Sequence, residues 1–368
     1  MKTVRRLIYG EVLYAVSFVI LGFLSLFFFF DLIEEIQAME RYAATGYGIA
    51  PALTYIALMI PSHLYELLPI AVLIGTIFVM ARLAHNSEFT ILRTSGLSPW
   101  LALKTLSLLG LGFVVLTFAI GDYLSPLADR SAQLLKARYQ GNITLGQTGA
   151  WLKEKQAQGR YSVNVGALQS DGGMQGVRIF EFDEQGFLMS MTQAQTARLR
   201  GDGAWQLSGV DRTEFPERKQ AAAEIRRTHL ETYRWPSEIT SEMVSAALLK
   251  PDRMSTIALF QYIQHLDANA QSSQRYEIEF WRKVFYPLSC LVMVVLALPF
   301  AYLHFRSGGI TAYVFGGVMA GISFFLLNNV FGYMGNLQHW QPWLTAALPG
   351  MIYSLLSLAA FGWLVLRR

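Results

Sequence analysis

Cysteine is almost missing from this sequence: Cys290 is the only one in 368 residues. No internal disulfide can form, and its place within a long apolar run suits a small buried hydrophobe rather than a reactive thiol. Charge is scarce too, at 15% of residues against 53% hydrophobic. With a mean hydropathy of +0.33, that balance marks a membrane protein. Motifs for chemistry are also missing. The sequence has no Walker A phosphate loop, no His-Glu-x-x-His, no cysteine pair at zinc spacing and no nucleophile elbow. Asp183 and Glu184 sit at a turn rather than across a cleft. Nothing assembles a catalytic site.

What is present is apolar length. A span needs roughly 20 largely apolar residues, and six stretches supply it: about 12–33, 57–81, 101–121, 284–303, 310–331 and 343–365. The first is too long for a signal h-region and lacks a small-residue cleavage site, so it reads as a retained helix. Between the third and fourth lies a polar, glycine-punctuated interval. The chain thus divides into residues 1–125 with three spans, 126–272 as an inserted soluble domain with a flanking helix, and 273–368 with three more spans.

Short-loop charge orients them, because Lys and Arg stay in the cytoplasm. Lys2, Arg5 and Arg6 precede span one, and Arg82, Arg93 and Lys104 surround the link from two to three. Arg306 lies between four and five, and Arg367 with Arg368 follows six. The link from five to six, Gly332 to Pro342, has neither Lys nor Arg. The link from one to two sets only Arg41 against Glu34, Glu35 and Glu40. Both termini are expected in the cytoplasm and the large domain outside. The pI near 9.0 partly reflects this cytoplasmic basicity and needs no nucleic acid.

One polar stretch, Arg82 to Pro99, reads as a short helix over about 86–96 between spans two and three. Asn86 or Ser87 can cap its start, and Glu88 suits the positive dipole end. Arg93 falls in the last turn, Gly96 can take the left-handed C′ conformation, and Pro99 stops it. Phe89 and Leu92, three apart, share a face. Two turns are unstable alone in water. The helix is either a capped loop packed on its own spans or a knob for a groove on another protein.

Elsewhere, Pro61 and Pro69 bracket His63 and Glu66 in span two. No third ligand stands at a matching spacing, so they read as a hydrogen-bonded pair at a kink rather than a metal site. Span one closes with Phe27 to Phe30 and Asp31, and its acidic turns project beyond the bilayer. In the soluble interval, Tyr161–Val165, Val177–Phe182, Phe187–Thr192, Thr196–Arg200, Trp205–Val210 and Ile225–Trp235 read as short strands, with turns at Asp183–Gly186 and Gly201–Gly203. They imply an antiparallel sandwich or jelly roll. Its apolar face either forms a core or holds an acyl chain. Pro287 and Pro299 suggest bends in span four, and Gly317 with Gly321 gives span five a close-packing face. A membrane protein with a docking knob and no chemistry of its own reads as a transporter subunit driven by a separate ATPase.

Several motifs carry a resemblance. Ser87-Glu88-Phe-Thr-Ile-Leu-Arg-Thr-Ser-Gly96 resembles the signature of the LptF/LptG family of lipopolysaccharide export permeases. Gly121-Asp-Tyr-Leu-Ser-Pro126, Trp281-Arg-Lys-Val-Phe-Tyr-Pro-Leu-Ser289, Leu296-Ala-Leu-Pro-Phe300 and Arg306-Ser-Gly-Gly309 support it. So does the order of three spans, domain and three spans over the whole chain. An end directly after span six, at Arg368, is more similar to the LptG branch.

The resemblance implies a bacterial inner-membrane helical protein of six spans with a periplasmic jelly-roll-like domain. It implies an LptF-type paralogue, a dimeric LptB-type ATPase and an LptC-type single-span protein as partners, and lipopolysaccharide as cargo. ATP and magnesium belong to the ATPase, and this chain needs no cofactor or metal. Glu88, Phe89, Leu92, Arg93 and Gly96 then form the coupling helix, with Glu88 meeting a basic group and Phe89 and Leu92 filling the ATPase groove. Phe27, Phe30, Asp31 and Glu35 of span one, with Gly317, Gly321, Phe324 and Asn328 of span five, line the lipid path and lateral gate. The acids on span one depart from the basic end the family leads one to expect. A divalent cation bridging acid to phosphate, or positive charge from the paralogue, would answer that departure. Two other classes stay open: the permease of another ATP-driven lipid, lipoprotein or peptide exporter, and a membrane scaffold or lipid-modifying enzyme using His63 and Glu66.

Overall fold

The computed structural model describes residues 2–140, 149–156, 159–168, 173–200, 203–216, 224–240, 243–244, 251–302 and 310–363. Arg306 to Gly309, Gly201 with Asp202, and Arg367 with Arg368 lie outside them. The chain forms two compact units. One holds Met1–Ile36, Ile56–Ala128 and Glu277–Arg368, and the other Gln37–Tyr55 and Asp129–Tyr276.

The first unit holds most of α1 (Lys2–Arg41) and of α2 (Ile49–His85), together with α3 (Glu88–Thr94) and α4 (Pro99–Ala119). A π-helical turn, Ile120–Leu124, leads from α4 into α5 (Ser125–Gln140). After the β domain and α6 (Thr256–Ala268) come α7 (Gln274–Ala297), α8 (Ile310–Leu337) and α9 (Pro342–Phe361). Among the described residues, six helical segments are long and apolar enough to cross a membrane. At 1.5 Å per residue, the 40 residues of α1 extend about 60 Å, roughly twice the hydrocarbon thickness. Its acidic end therefore has room to project.

α2 is the hub. Of its most apolar window 83% is buried, against 17% in both α1 and α8. One apolar cluster joins Leu68, Val72, Met80 and Leu83 of α2 to Val12 and Val16 of α1, Leu106 and Phe113 of α4, and Val294 of α7. Glycines set the spacing: a Cβ on Gly75 would lie 2.8 Å from the Val16 backbone nitrogen. On α8, a Cβ at Gly317 or Gly321 would come within 2.7 Å of Ile77 or 2.9 Å of Ile70. The small-residue face of α8 thus packs on α2. Pro299 falls in a 3₁₀ turn, Leu298–Tyr302, where α7 ends.

The second unit carries one antiparallel sheet of β1 (Ala150–Gln156), β2 (Gly159–Leu168), β3 (Met174–Phe182), β4 (Leu188–Leu199), β5 (Ala204–Glu214) and β6 (Arg226–Pro236). The order is sequential, a meander with no Greek-key crossing among the described strands. Phe187–Thr192 and Thr196–Arg200, separate by pattern, fall largely within the single strand β4. β1 was not visible in the pattern because Lys153, Glu154 and Lys155 mask its alternation. The Asp183–Gly186 turn is as expected: Asp183 Oδ1 accepts from the Gln185 and Phe187 amides at 2.9 and 2.8 Å, and Gly186 has φ +86°.

The buried face carries one apolar cluster that includes Leu152, Val163, Val177, Leu207 and Val210. Trp205 is fully buried, and its Nε1 donates to the Ile239 carbonyl at 2.7 Å. Buried Glu154 accepts from Ser237 Oγ at 2.6 Å, the Glu238 amide at 2.8 Å and Gln156 Nε2 at 2.9 Å. The outer amides of β1 at Lys153 and Lys155 donate to Gln271 Oε1 and Asn269 Oδ1, which blunts the sheet edge.

α6 is capped by Ser255, whose Oγ accepts from the Ala258 amide. On it, burial pushes His265 below the usual imidazole range, although Glu154 and Glu238 pull the other way. Its Nε2 has no hydrogen-bond partner among the described residues. A folded-state pKa below the unfolded one means stability is full above the ordinary histidine value of about 6.5 and falls as pH drops through the lowered one. His265→Gln is expected to flatten that acid limb in a pH series of thermal melts of the full chain. An unchanged acid slope would contradict the assignment.

Candidate functional site

α3 ends as a Schellman motif. The Leu97 amide donates to the Leu92 carbonyl at 3.0 Å and the Gly96 amide to that of Arg93 at 3.0 Å, with Gly96 at φ +101°. Both bonds satisfy carbonyls that a helix end leaves orphaned. Pro99 then opens α4 at its first turn, behind Ser98, whose Oγ accepts from the Leu101 amide at 3.3 Å.

The start corrects the expected cap. Ser87 is left-handed, φ 60°, and makes no side-chain cap bond, whereas a capping residue needs extended backbone to aim its oxygen at the first amides. Asn86 instead donates through Nδ2 to Glu88 Oε1 at 3.2 Å.

The faces of α3 also differ from the expected ones. Phe89 is 2% exposed and packs inward, edge-on to Tyr302 with ring centroids 5.0 Å apart. Leu92 is half-buried against the same cluster. Arg93 holds its guanidinium 5.0 Å from the Tyr302 ring centroid. Glu88, Thr90, Ile91, Arg93 and Thr94 are exposed, Ile91 at 62%. Phe89 therefore anchors the helix to its own chain, and Ile91 is the apolar residue left to meet something else. Nearby, Arg82 Nη2 pairs with Glu11 Oε2 at 2.6 Å, tying α2 to α1.

Towards the far end of α1, Asp31 Oδ2 lies 2.8 Å from His63 Nε2, with Phe27 stacked on the imidazole at 4.6 Å. This corrects the expected pairing of His63 with Glu66, whose backbone carbonyl accepts from Tyr286 Oη at 2.7 Å. Phe30 is exposed, and Glu35 is buried. Among the described residues no group of three His, Cys, Asp or Glu side chains could hold a metal.

On α8, Gly317 and Gly321 meet α2, and Phe324 is buried edge-on to Tyr353 at 5.1 Å. Asn328 gives its backbone carbonyl to Arg282 Nη2 at 2.9 Å. The free face of α8 is instead Phe315, Met319, Ile322 and Leu326, spaced four, three and four residues apart and all exposed. α1 presents Tyr14, Phe18 and Leu21 in the same manner. A contiguous apolar face on a spanning helix meets lipid or another helix.

Two motifs that pattern alone did not join come together here. Lys283 of α7, buried, donates through Nζ to the Gly121 carbonyl in the π turn at 3.0 Å and stands 5.6 Å from the Tyr65 ring centroid. Arg282 binds Asn329 Oδ1 at 3.1 Å and Glu279 Oε2 at 3.2 Å. Basic residues inside a span are costly unless partnered, and that cost was the signal available in the sequence.

Comparisons with known proteins agree with one another. The protein-family model described as lipopolysaccharide export system permease LptF/LptG matches residues 6–366. The lipopolysaccharide export system permease protein LptG of Escherichia coli (strain K12) is 28% identical over 351 residues, 94% of each chain. Its namesake from Haemophilus influenzae is 29% identical over 339 residues, 90% of this chain and 91% of that one.

Gly121 has no room for a side chain, since a Cβ there would stand 2.2 Å from the Tyr65 ring. Gly121→Ala is expected to cost about 1–3 kcal/mol through overpacking, read as a lower thermal midpoint in detergent. A midpoint equal to wild type would show that the π turn tolerates displacement of Tyr65.

Proposed function

We propose, since this chain belongs to the LptF/LptG family of lipopolysaccharide export system permeases, that it is the permease subunit of an ATP-driven lipopolysaccharide exporter. It draws the lipid from the outer leaflet of the bacterial inner membrane and passes it to a periplasmic bridge towards the outer membrane. The six apolar segments make it a multi-pass membrane protein. Lys and Arg in the short loops support cytoplasmic termini and a periplasmic β domain. Hydrolysis belongs to a separate dimeric ATPase of LptB type. An LptF-type paralogue and an LptC-type single-span protein complete the assembly. The sparse cover on α1 and α8 supports a second permease there, with lipid between the two.

One observation carries the reading. α3 ends in a Schellman turn, is pinned to its own chain by Phe89, and turns Glu88, Thr90 and Ile91 outward. A two-turn helix anchored in this way suits an ATPase groove with a basic group for Glu88. Closure of the ATPase can shift the spans only through contacts that differ between its open and closed states, and this surface would supply them. The acids at the far end of α1 fit cargo phosphates through a bridging divalent cation or through positive charge from the paralogue. Asp31 is engaged by His63, whereas Glu34 and Glu40 are exposed.

Glu88→Lys puts like charge against that basic group while leaving the buried side of α3 untouched. Lipid-stimulated ATP turnover of the purified complex is expected to fall at least about tenfold, with the chain still folded by its thermal melt. Normal lipid-stimulated turnover would refute the docking role.

A further inference from the structure

The contacts beneath α3 continue beyond it. Tyr302 is 4% exposed and closes the 3₁₀ turn that follows α7. Its ring takes both the Phe89 edge and the Arg93 guanidinium. Two residues earlier, Phe300 meets Tyr313 of α8 edge-on, with centroids 6.0 Å apart at 89°. Phe300 packs against two clusters at once. One contains Phe89 and Tyr302; the other is built from Leu73, Ile77, Met293, Phe324 and Tyr353. α3 is covalently continuous with α2 and α4, yet it is seated on the turn that ends α7 and, one aromatic step further, on α8.

We propose that Tyr302 is the positioning residue that couples displacement of α3 to α7 and α8. Force arriving at α3 then moves the sparsely covered α8 through Tyr302, Phe300 and Tyr313, and not only through the backbone of α2 and α4. Close-packed interiors transmit displacement because they compress little. Edge-on rings and a cation over a ring face fix orientation in a way that plain apolar contact does not. This rests on the reading of α3 as the element that meets the ATPase.

The test uses the full complex, reconstituted in liposomes with lipopolysaccharide, and reads lipid released per ATP hydrolysed. Tyr302→Leu keeps apolar bulk but removes the ring, and is expected to lower that ratio about tenfold, within the usual range of coupling effects. Tyr302→Phe keeps the ring for both partners and is expected to stay within about twofold. Phe89→Leu combined with Tyr302→Leu should be no worse than Tyr302→Leu alone, because the Phe89 contact is already lost with the Tyr302 ring. A purely structural role would reduce the yield of complex without changing the ratio in what is recovered. A wild-type ratio in Tyr302→Leu, or equal loss in the Phe and Leu variants, would overturn the proposal. Should Tyr302→Leu not assemble, Phe89→Leu alone carries the test, with the same expected loss and the same contradiction. Failure of the unaltered chain to recover an ATPase would sink the reading of α3 and leave the contact geometry as it stands.

Discussion

Close approach to α2 is the constraint on which the membrane-spanning unit depends. Lipid tails are as apolar as leucine, so helices in a bilayer associate by packing and hydrogen bonding rather than by expelling water. α2 meets that demand on several sides. Gly75 lets α1 reach it, while Gly317 and Gly321 let α8 reach it. The two helices that lean on it through these glycines are also the two with the least cover of their own. They are held on one face and free on the other, an arrangement suited to a moving wall.

Several charged groups in this setting are partnered. Lys283 is held by the Gly121 carbonyl, Arg282 spans Glu279 and the asparagines of α8, and Asp31 faces His63. Each joins two helices or, for the Glu279 bond, stiffens one of them. An unpartnered charge would be expensive at such depth. These links therefore fix which helices move together. α3 adds a further tie through aromatic rings, linking the α2–α4 connection to the end of α7.

Much of this was legible in the residues. Apolar length gave the spans, because a helix must satisfy its own backbone to cross lipid. Gly96 fixed the end of α3, since its left-handed conformation is one that side chains resist. The face of α3 was harder. Phe89 and Leu92 form an apolar pair by spacing, but spacing cannot tell an inward face from an outward one when both neighbours are apolar. Ile91 carries no spacing signal of its own for the same reason. His63 found Asp31, 32 residues away, rather than its neighbour Glu66, because pairing across helices carries no local trace. β1 hid behind Lys153, Glu154 and Lys155, where a buried carboxylate satisfied by Ser237 and Glu238 stands at an inward position.

The most direct measurement is purification of the tagged chain from its native membrane in mild detergent, with mass spectrometry of the retained proteins and lipid. The expected result is co-recovery of a dimeric nucleotide-binding ATPase, a second six-span permease and lipopolysaccharide. Recovery of the chain alone, with no ATPase and no lipopolysaccharide, would contradict its place in an ATP-driven exporter and reduce α3 to a packed loop between two spans.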